Sequence, residues 1–191
     1  DGFKDNKSIL IAKRGFDKGL YEIVGKTFYN NKPVIICREK RLPDLYFFGS
    51  FGKETESSGK ERDVFIAFAQ LKTLKRDDLK NQIGYNNPIQ TSKIEVFDNR
   101  LKGIAKTFYR WFIDNDYTLI SDMVQYDGAR KLWDSLSREP SIICDIIDDQ
   151  RRSILKHNTR VDSGEDFWDF DTKLWSYDFD KAHIRFAIYK K

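Results

Sequence analysis

The chain has 191 residues, of which 40% are hydrophobic and 15% aromatic, so it can bury a core and general disorder is excluded. Its 34 basic and 30 acidic residues give a net charge of +4, and this small, scattered excess gives little support for a nucleic-acid partner. No run of about 18 apolar residues occurs, so we expect no membrane span and no membrane partner.

The N-terminal part, residues 1–61, is predicted to be β-rich. Glycine, asparagine and proline separate its short apolar or alternating runs, as is typical of strands joined by turns. The runs are Ser8–Lys13, Leu20–Tyr29, Pro33–Arg38 and Leu45–Phe48. The stretch 49–61 is rich in glycine, serine and charge, and it predicts a surface loop.

Two further strands follow. Val64–Leu71 is apolar nearly throughout, which is typical of a strand buried on both faces. Residues 76–81 are charged and predict a connection or a short helix. In Ser92–Phe97 apolar and polar residues alternate, as in a half-buried strand.

Directly after this strand lies the stretch Arg100–Ala105, in which a glycine stands among basic residues. The residues that follow predict a helix, because Ile104, Phe108, Trp111 and Phe112 recur on one helical face. The first N–H groups of a helix lack intrahelical partners, and the helix dipole adds positive charge there. Together with nearby lysine and arginine side chains, this arrangement predicts a phosphate or pyrophosphate site; the alternative is a plain strand-to-helix turn.

The remaining elements alternate between strand and helix. Tyr117–Ser121 predicts a short strand, and residues 129–136 predict a second amphipathic helix. Ser141–Ile147, Leu174–Tyr177 and Ile184–Tyr189 predict three more strands. Cys37 and Cys144 sit inside apolar runs and are expected to be buried, reduced thiols of a cytoplasmic protein, without a metal site.

The order strand, R-x-x-G-x-A, helix, strand, A-x-x-L-W-x-x-L resembles the GNAT superfamily of acyl-CoA-dependent N-acyltransferases. The first motif is Arg100–Ala105 and the second is Ala129–Leu136, with Trp133 where the family often has a tyrosine. The resemblance covers roughly residues 62–140. The segment from Ile120 to Trp133 also looks like GNAT-like proteins encoded by phages.

We therefore expect an α+β fold with a mixed, mainly antiparallel sheet flanked by helices, in one GNAT-like domain over residues 1–191. Its parts would be a β-rich segment (1–61), an acyl-CoA-binding core (62–140) and C-terminal strands (141–191). The strands on either side of the helix at 104–114 should be parallel. In the family these two strands splay apart, and the acyl-CoA thioester lies in the opening. The β-rich start departs from the family, which usually has two helices there.

The resemblance implies acetyl-CoA or a related acyl-CoA as co-substrate and an amine acceptor on a protein, a small molecule or a nucleobase. It implies that the acyl-CoA pyrophosphate binds the loop formed by Arg100, Leu101, Lys102, Gly103, Ile104 and Ala105.

For the general base the resemblance implies Glu95, with a solvent-facing carboxylate as the alternative. Trp133 cannot release a proton, so Ser121 and Tyr126 are the candidate acids, beside direct protonation by water. Asp122 and Gln125, at the strand end, are further candidates for a ligand site.

Two functions remain open from the sequence. The chain is predicted to be a cytoplasmic acyltransferase, in the host cytoplasm if it is phage-encoded. The alternative is a non-catalytic GNAT-like module that serves as a virion component or binds a host protein or nucleic acid. The R-x-x-G-x-A loop favours the enzyme, whereas Trp133 favours the module.

Overall fold

A computed structural model describes residues 18–55, 58–59, 61–96, 103–122, 125–160, 174–175 and 183–191. The fold is α+β, with a mostly antiparallel sheet of nine strands and a second sheet of two short strands. The predicted fold class is thereby confirmed at this level. The chain divides into two compact units: unit 1 comprises residues 1–73 and 93–108, and unit 2 comprises residues 74–92 and 109–191. The assignment to a single domain stays a prediction.

Unit 1 contains four antiparallel strands that follow one another along the chain. They are β1 (Tyr21–Tyr29), β2 (Lys32–Glu39), β3 (Leu45–Thr55) and β4 (Glu61–Lys75), whose last two residues fall in unit 2. Each strand pairs with the next. Asn30 and Asn31, both with positive φ, form the predicted turn between β1 and β2.

One prediction in this region was wrong. Residues 49–55, expected in a surface loop, belong to β3 and pair with β4 up to Thr55↔Glu61. The cross-strand hydrogen bonds of the long hairpin override the weak strand preference of glycine and charged residues. The strand predicted at Ser8–Lys13 lies outside the described residues.

The core of unit 1 lies on β2 and β3. Ile35, Cys37 and Phe47 form a buried cluster, against which the half-buried Tyr21 packs with its ring 4.8 Å from that of Phe47. Phe48 is fully buried, and its ring lies 5.2 Å from that of Phe108.

Unit 2 contains two complete helices and part of a third. The first, α1 (Asp77–Ile83), ends at Gly84 in the left-handed conformation. The second, α2 (Ile104–Asp114), lies in unit 1 up to Phe108 and in unit 2 from Tyr109. The third, α3 (Asp127–Ser137), covers the second predicted helix.

The strands of unit 2 include one parallel pair, β5 and β6. They are β5 (Pro88–Val96, in unit 1 from Lys93), β6 (Thr118–Ile120), β7 (Gln125–Tyr126), β8 (Ile142–Asp148), β9 (Ser153–Lys156), β10 (Leu174–Trp175) and β11 (Ile184–Lys190). The order within the large sheet is β5-β6-β11-β8-β9, and β7 pairs with β10.

The strand–helix–strand prediction for residues 92–122 is confirmed. Strands β5 and β6 are parallel, with the register Pro88↔Thr118 to Gln90↔Ile120. On α2 the predicted face is buried: Ile104, Phe108 and Phe112 are fully buried and Trp111 nearly so. The pairing covers three residues, and β5 then continues to Val96.

Candidate functional site

The first candidate group, in unit 1, is the start of α2. Gly103 is exposed and adopts a φ of 84°, a left-handed conformation that glycine tolerates without cost. Its carbonyl accepts hydrogen bonds from the N–H groups of Lys106 (3.0 Å) and Thr107 (3.2 Å), so Gly103 occupies the cap position of the helix. By helix geometry the N–H groups of Ile104 and Ala105 precede these first bonds.

A glycine cap has a chemical consequence. Serine, threonine, aspartate or asparagine at this position would accept a hydrogen bond from the first turn through its side-chain oxygen, but glycine has none. The first turn of α2 also contains no acidic residue. The start of the helix is therefore suited to an oxygen acceptor from a ligand, and an anion would gain from the helix dipole as well.

The other predicted loop residues are only partly described. Arg100, Leu101 and Lys102 lie outside the described residues. Ile104 is fully buried and Ala105 partly buried, so only the backbone of Ile104 is suited to a ligand. Glu95 lies on β5, but its side chain is outside the described part of the structure.

The second candidate group, in unit 2, lies where the parallel pairing of β5 and β6 ends. Ser121 follows β6 and is buried; its Oγ accepts the N–H of Phe186 at 2.9 Å, and its own N–H donates to the Phe186 carbonyl. The neighbouring Asp122 is half-buried and accepts a hydrogen bond from the Gln90 amide at 3.3 Å. Ser121 and Asp122 are thus both fixed to other strands.

Tyr126 and Gln125 form β7, paired with Leu174 and Trp175 of β10. Their backbone positions are described and their side chains are not. Their predicted roles as an acid and as a ligand contact remain predictions.

Sequence reasoning missed Tyr109, which α2 contributes to unit 2. It is 3% exposed, its phenol and the Thr91 hydroxyl are hydrogen-bonded, and its ring lies 5.7 Å from that of Trp133. Burial raises the pKa of Tyr109 to about 12, and the negative charge of Asp122 acts in the same direction. The signal in the sequence was the nearly continuous apolar run of residues 108–113, which indicates a helix buried on more than one face.

Trp133, which the GNAT resemblance places where a tyrosine is expected, is a core residue. It is 1% exposed and lies between Tyr109 and Phe186, whose ring is stacked at 6.5 Å. The indole fills space between α2, α3 and β11, so this position contributes packing and has no acid to offer.

A charged network fixes Gln90. Arg76 is 7% exposed and donates from Nη1 to Gln90 Oε1 at 2.9 Å, from Nη2 to Asp78 at 2.8 Å, and also to Asp149. The hydrogen bond to Asp78 and the charge of Asp149 raise the pKa of Arg76 despite its burial. The Gln90 amide is therefore oriented with its oxygen toward Arg76 and its nitrogen toward Asp122.

Both cysteines are buried and free of disulfide bonds, as predicted. Burial raises the pKa of Cys37 to about 12 and raises that of Cys144 as well, so neither thiol is suited to act as a nucleophile. Among the described residues no group of three or more His, Cys, Asp or Glu is arranged to hold a metal ion. None of the described helices is long and apolar enough to cross a membrane.

Comparison with known proteins adds no relative to this picture. No family model, no curated protein and no solved structure matches the chain.

Proposed function

We propose that the protein is an acyl-CoA-dependent N-acyltransferase with a GNAT-like fold, which uses acetyl-CoA or a related acyl-CoA and acylates an amine. One observation carries the proposal: a strand, a left-handed glycine cap at Gly103 and a helix precede a strand that is parallel to the first. This is the arrangement that the R-x-x-G-x-A resemblance implies.

In the proposed reaction the amine nitrogen attacks the thioester carbonyl, the C–S bond breaks, and an amide and a CoA thiolate form. The amine proton passes to a base, for which Glu95 remains the candidate. The pyrophosphate of the acyl-CoA binds the N–H groups of Ile104 and Ala105, with the cations of Arg100 and Lys102 beside it.

The leaving thiolate needs a proton or must leave as an anion. An ordinary thiol has a pKa near 8.5, whereas that of Tyr109 is raised to about 12. Proton transfer from the buried Tyr109 phenol to the thiolate would therefore be uphill, so Tyr109 is assigned a packing role and not an acid role. Tyr126 and Ser121 remain the proposed acids, beside direct protonation by water.

The buried Trp133 favours a second candidate, a non-catalytic GNAT-like module of a phage that binds a host protein or nucleic acid or forms part of the virion. The two candidates differ in one measurable property. The enzyme releases CoA from acetyl-CoA in a manner that depends on an added amine, whereas the module releases none.

Isothermal titration with acetyl-CoA tests the anchor. Replacement of Gly103 with valine should abolish binding, because a β-branched residue cannot adopt the left-handed conformation without strain and its side chain would crowd the ligand. We expect the unmodified protein to bind and Gly103→Val to show at least a tenfold weaker affinity.

Gly84→Val is the matched control. Gly84 also has a positive φ, of 90°, and a Cβ at either glycine would meet no described atom within 4 Å. Both variants therefore carry the same kind of backbone strain, roughly 1–2 kcal/mol, but Gly84 caps α1 at its end. Equal acetyl-CoA affinities for the two variants would refute the anchor, and an absence of amine-dependent CoA release by the unmodified protein would favour the module.

A further inference from the structure

Unit 2 contains a cavity of about 230 Å³ that none of the predicted site residues lines. Its polar wall includes His157, which follows β9, Tyr189 of β11 and Tyr85, which lies between α1 and β5. Tyr117 and Ile154 contribute apolar surface. Asp116 and Lys190 also line the cavity, which therefore combines aromatic walls with one imidazole and two residues of opposite charge.

Behind this wall lies a buried carboxylate. Asp145, on β8, is 0% exposed and accepts four hydrogen bonds, two at each oxygen. Oδ2 accepts the phenol hydroxyls of Tyr85 and Tyr189, both at 2.9 Å. Oδ1 accepts the Asn158 N–H at 3.0 Å and is 2.8 Å from His157 Nδ1.

This arrangement fixes the tautomer of the imidazole. Asp145 is an acceptor for all its other partners, so Nδ1 of His157 must carry the proton that it donates. In the neutral ring Nε2 then holds a lone pair and accepts hydrogen bonds. The His157 side chain is 61% exposed, so Nε2 is accessible while Nδ1 is committed to Asp145.

The same carboxylate fixes the aromatic wall. The rings of Tyr85 and Tyr189 lie 5.4 Å apart at an interplanar angle of 51°, and their hydroxyl groups both point to Asp145. Burial and the charge of Asp145 raise the pKa of both phenols, so they remain donors across the neutral range. A ligand thus meets rings that are already held in place, at little cost in side-chain entropy.

We propose that this cavity is a binding site for a small aromatic molecule that bears an O–H or N–H donor. The donor binds Nε2 of His157, and the aromatic ring packs against Tyr85 and Tyr189. Pockets for drug-sized ligands measure about 300–1,000 Å³, so a cavity of about 230 Å³ suits a ligand of one or two rings. Asp145 is a positioning residue in this site, because it acts through His157 and the tyrosines.

NMR of the full chain can test the site directly, because the protein has only two histidines, His157 and His183. At pH 8, where an ordinary imidazole is neutral, we expect ring-nitrogen spectra to show His157 as the Nδ1–H tautomer. Addition of 4-fluorophenol should then shift the His157 Nε2 resonance and leave that of His183 in place. An Nε2–H tautomer of His157, or no shift with 4-fluorophenol, would overturn the proposal.

A second probe, 4-fluoroanisole, measures how much the hydrogen-bond donor of the ligand contributes to affinity. In 4-fluoroanisole a methyl group replaces the hydroxyl proton and the ring is retained, so we expect it to bind about fivefold more weakly, the value of one net hydrogen bond of about 1 kcal/mol. Fluorine NMR titration measures both ligands. Equal affinities would show that His157 does not recognise the donor.

Two histidine variants test whether His157 recognises the donor. His157→Ala should remove the difference between the two probes, and its exposure makes the replacement compatible with folding. His183→Ala is the control, because His183 also lies beside an aspartate, 3.7 Å from Asp148, but does not line the cavity. A difference between the probes that survives in His157→Ala would assign the recognition to another group and reject the proposal.

Discussion

Two carboxylates of unit 2, four positions apart in the chain, are held in different ways, one fully buried (Asp145) and one with a side chain that is 16% exposed (Asp149). Asp145 is surrounded by two phenols, one imidazole and one backbone N–H. Asp149, directly after β8, faces three guanidinium groups, those of Arg76, Arg152 and Arg185. Asp145 is held by directional hydrogen bonds from groups that are mostly neutral, and Asp149 by charge.

The difference accounts for the kind of groups that Asp145 presents, through its partners, to the cavity. Arginine side chains are long, and two of the arginines that pair with Asp149 also pair with Asp78. The ion pairs around Asp149 therefore form a closed network of charged groups. The partners of Asp145 are short or aromatic, and they leave ring surfaces and one imidazole nitrogen at the cavity.

The largest effect should come from Asp149→Ala. It leaves the cations of Arg76 and Arg185, which are 7% and 4% exposed, with one carboxylate fewer. Breaking a buried ion pair in this way costs about 3–5 kcal/mol, and we expect the free energy of unfolding in urea to fall by that amount. A loss below about 1 kcal/mol would show that the carboxylates of Asp78 and Asp122 compensate the charges of the cluster without Asp149.

Asp145→Asn should cost less, about 2 kcal/mol. The amide keeps the shape and one acceptor oxygen, but its NH₂ group faces donors, so at least two of the four lose their acceptor. Urea unfolding in 0.1 M and 1 M NaCl should give the same loss, because the partners are mostly neutral. A loss that shrinks strongly with salt would mean that Asp145 is held by charge as Asp149 is.

At alkaline pH the stability contributed by the partners of Asp145 should change, whereas that contributed by the ion pairs of Asp149 should not. The pKa of Tyr189 is raised by burial in the folded state from the ordinary value near 10, so the folded protein retains a proton that the unfolded chain loses. The stability from this group is therefore complete below pH 10 and falls as the pH rises above it, by up to about 1.4 kcal/mol per pH unit.

Urea unfolding at pH 9, 10 and 11 measures this slope. In Tyr189→Phe it should be shallower than in the unmodified protein, whereas Arg152→Gln should leave it unchanged, since arginine keeps its charge in this range. Identical slopes for the unmodified protein and Tyr189→Phe would contradict the raised pKa.

The smallest effects concern the outermost partner of each carboxylate. Arg152 and His157 have side chains that are 31% and 61% exposed, so Arg152→Gln and His157→Gln should each cost no more than about 1 kcal/mol at pH 8. In 1 M NaCl the cost of Arg152→Gln should largely vanish, because the Debye length falls to about 3 Å. The cost of His157→Gln should not change, and a parallel decline would indicate a charged imidazole.

The sequence predicted those parts of the fold that rest on local periodicity. The buried face of α2 follows from the spacing of Ile104, Phe108 and Phe112, and the parallel strands on either side follow from the length of the connection. Residues 49–55 were missed, because their strand depends on a partner and not on their own preferences.

The cavity could not be predicted from the sequence, for a related reason. The partners of Asp145 lie 60 positions before it (Tyr85), 12 after it (His157) and 44 after it (Tyr189). No motif spacing connects them, and only the pairing of β8 with β11 and the return of the chain after β9 bring them together. The glycine cap of α2, by contrast, is contained in consecutive residues and could be anticipated.

The boundary between the two units, which falls between residues 108 and 109 of α2, limits how the protein can be divided into fragments. Each compact unit is made of two separate stretches of chain, and the chain passes from one unit to the other three times, within β4, within β5 and within α2. A fragment that ends at Thr73 would encode four strands without residues 93–108, which belong with them. Neither unit can therefore be expressed, exchanged or transplanted as one continuous cassette, and a cut at any crossing severs a strand or a helix.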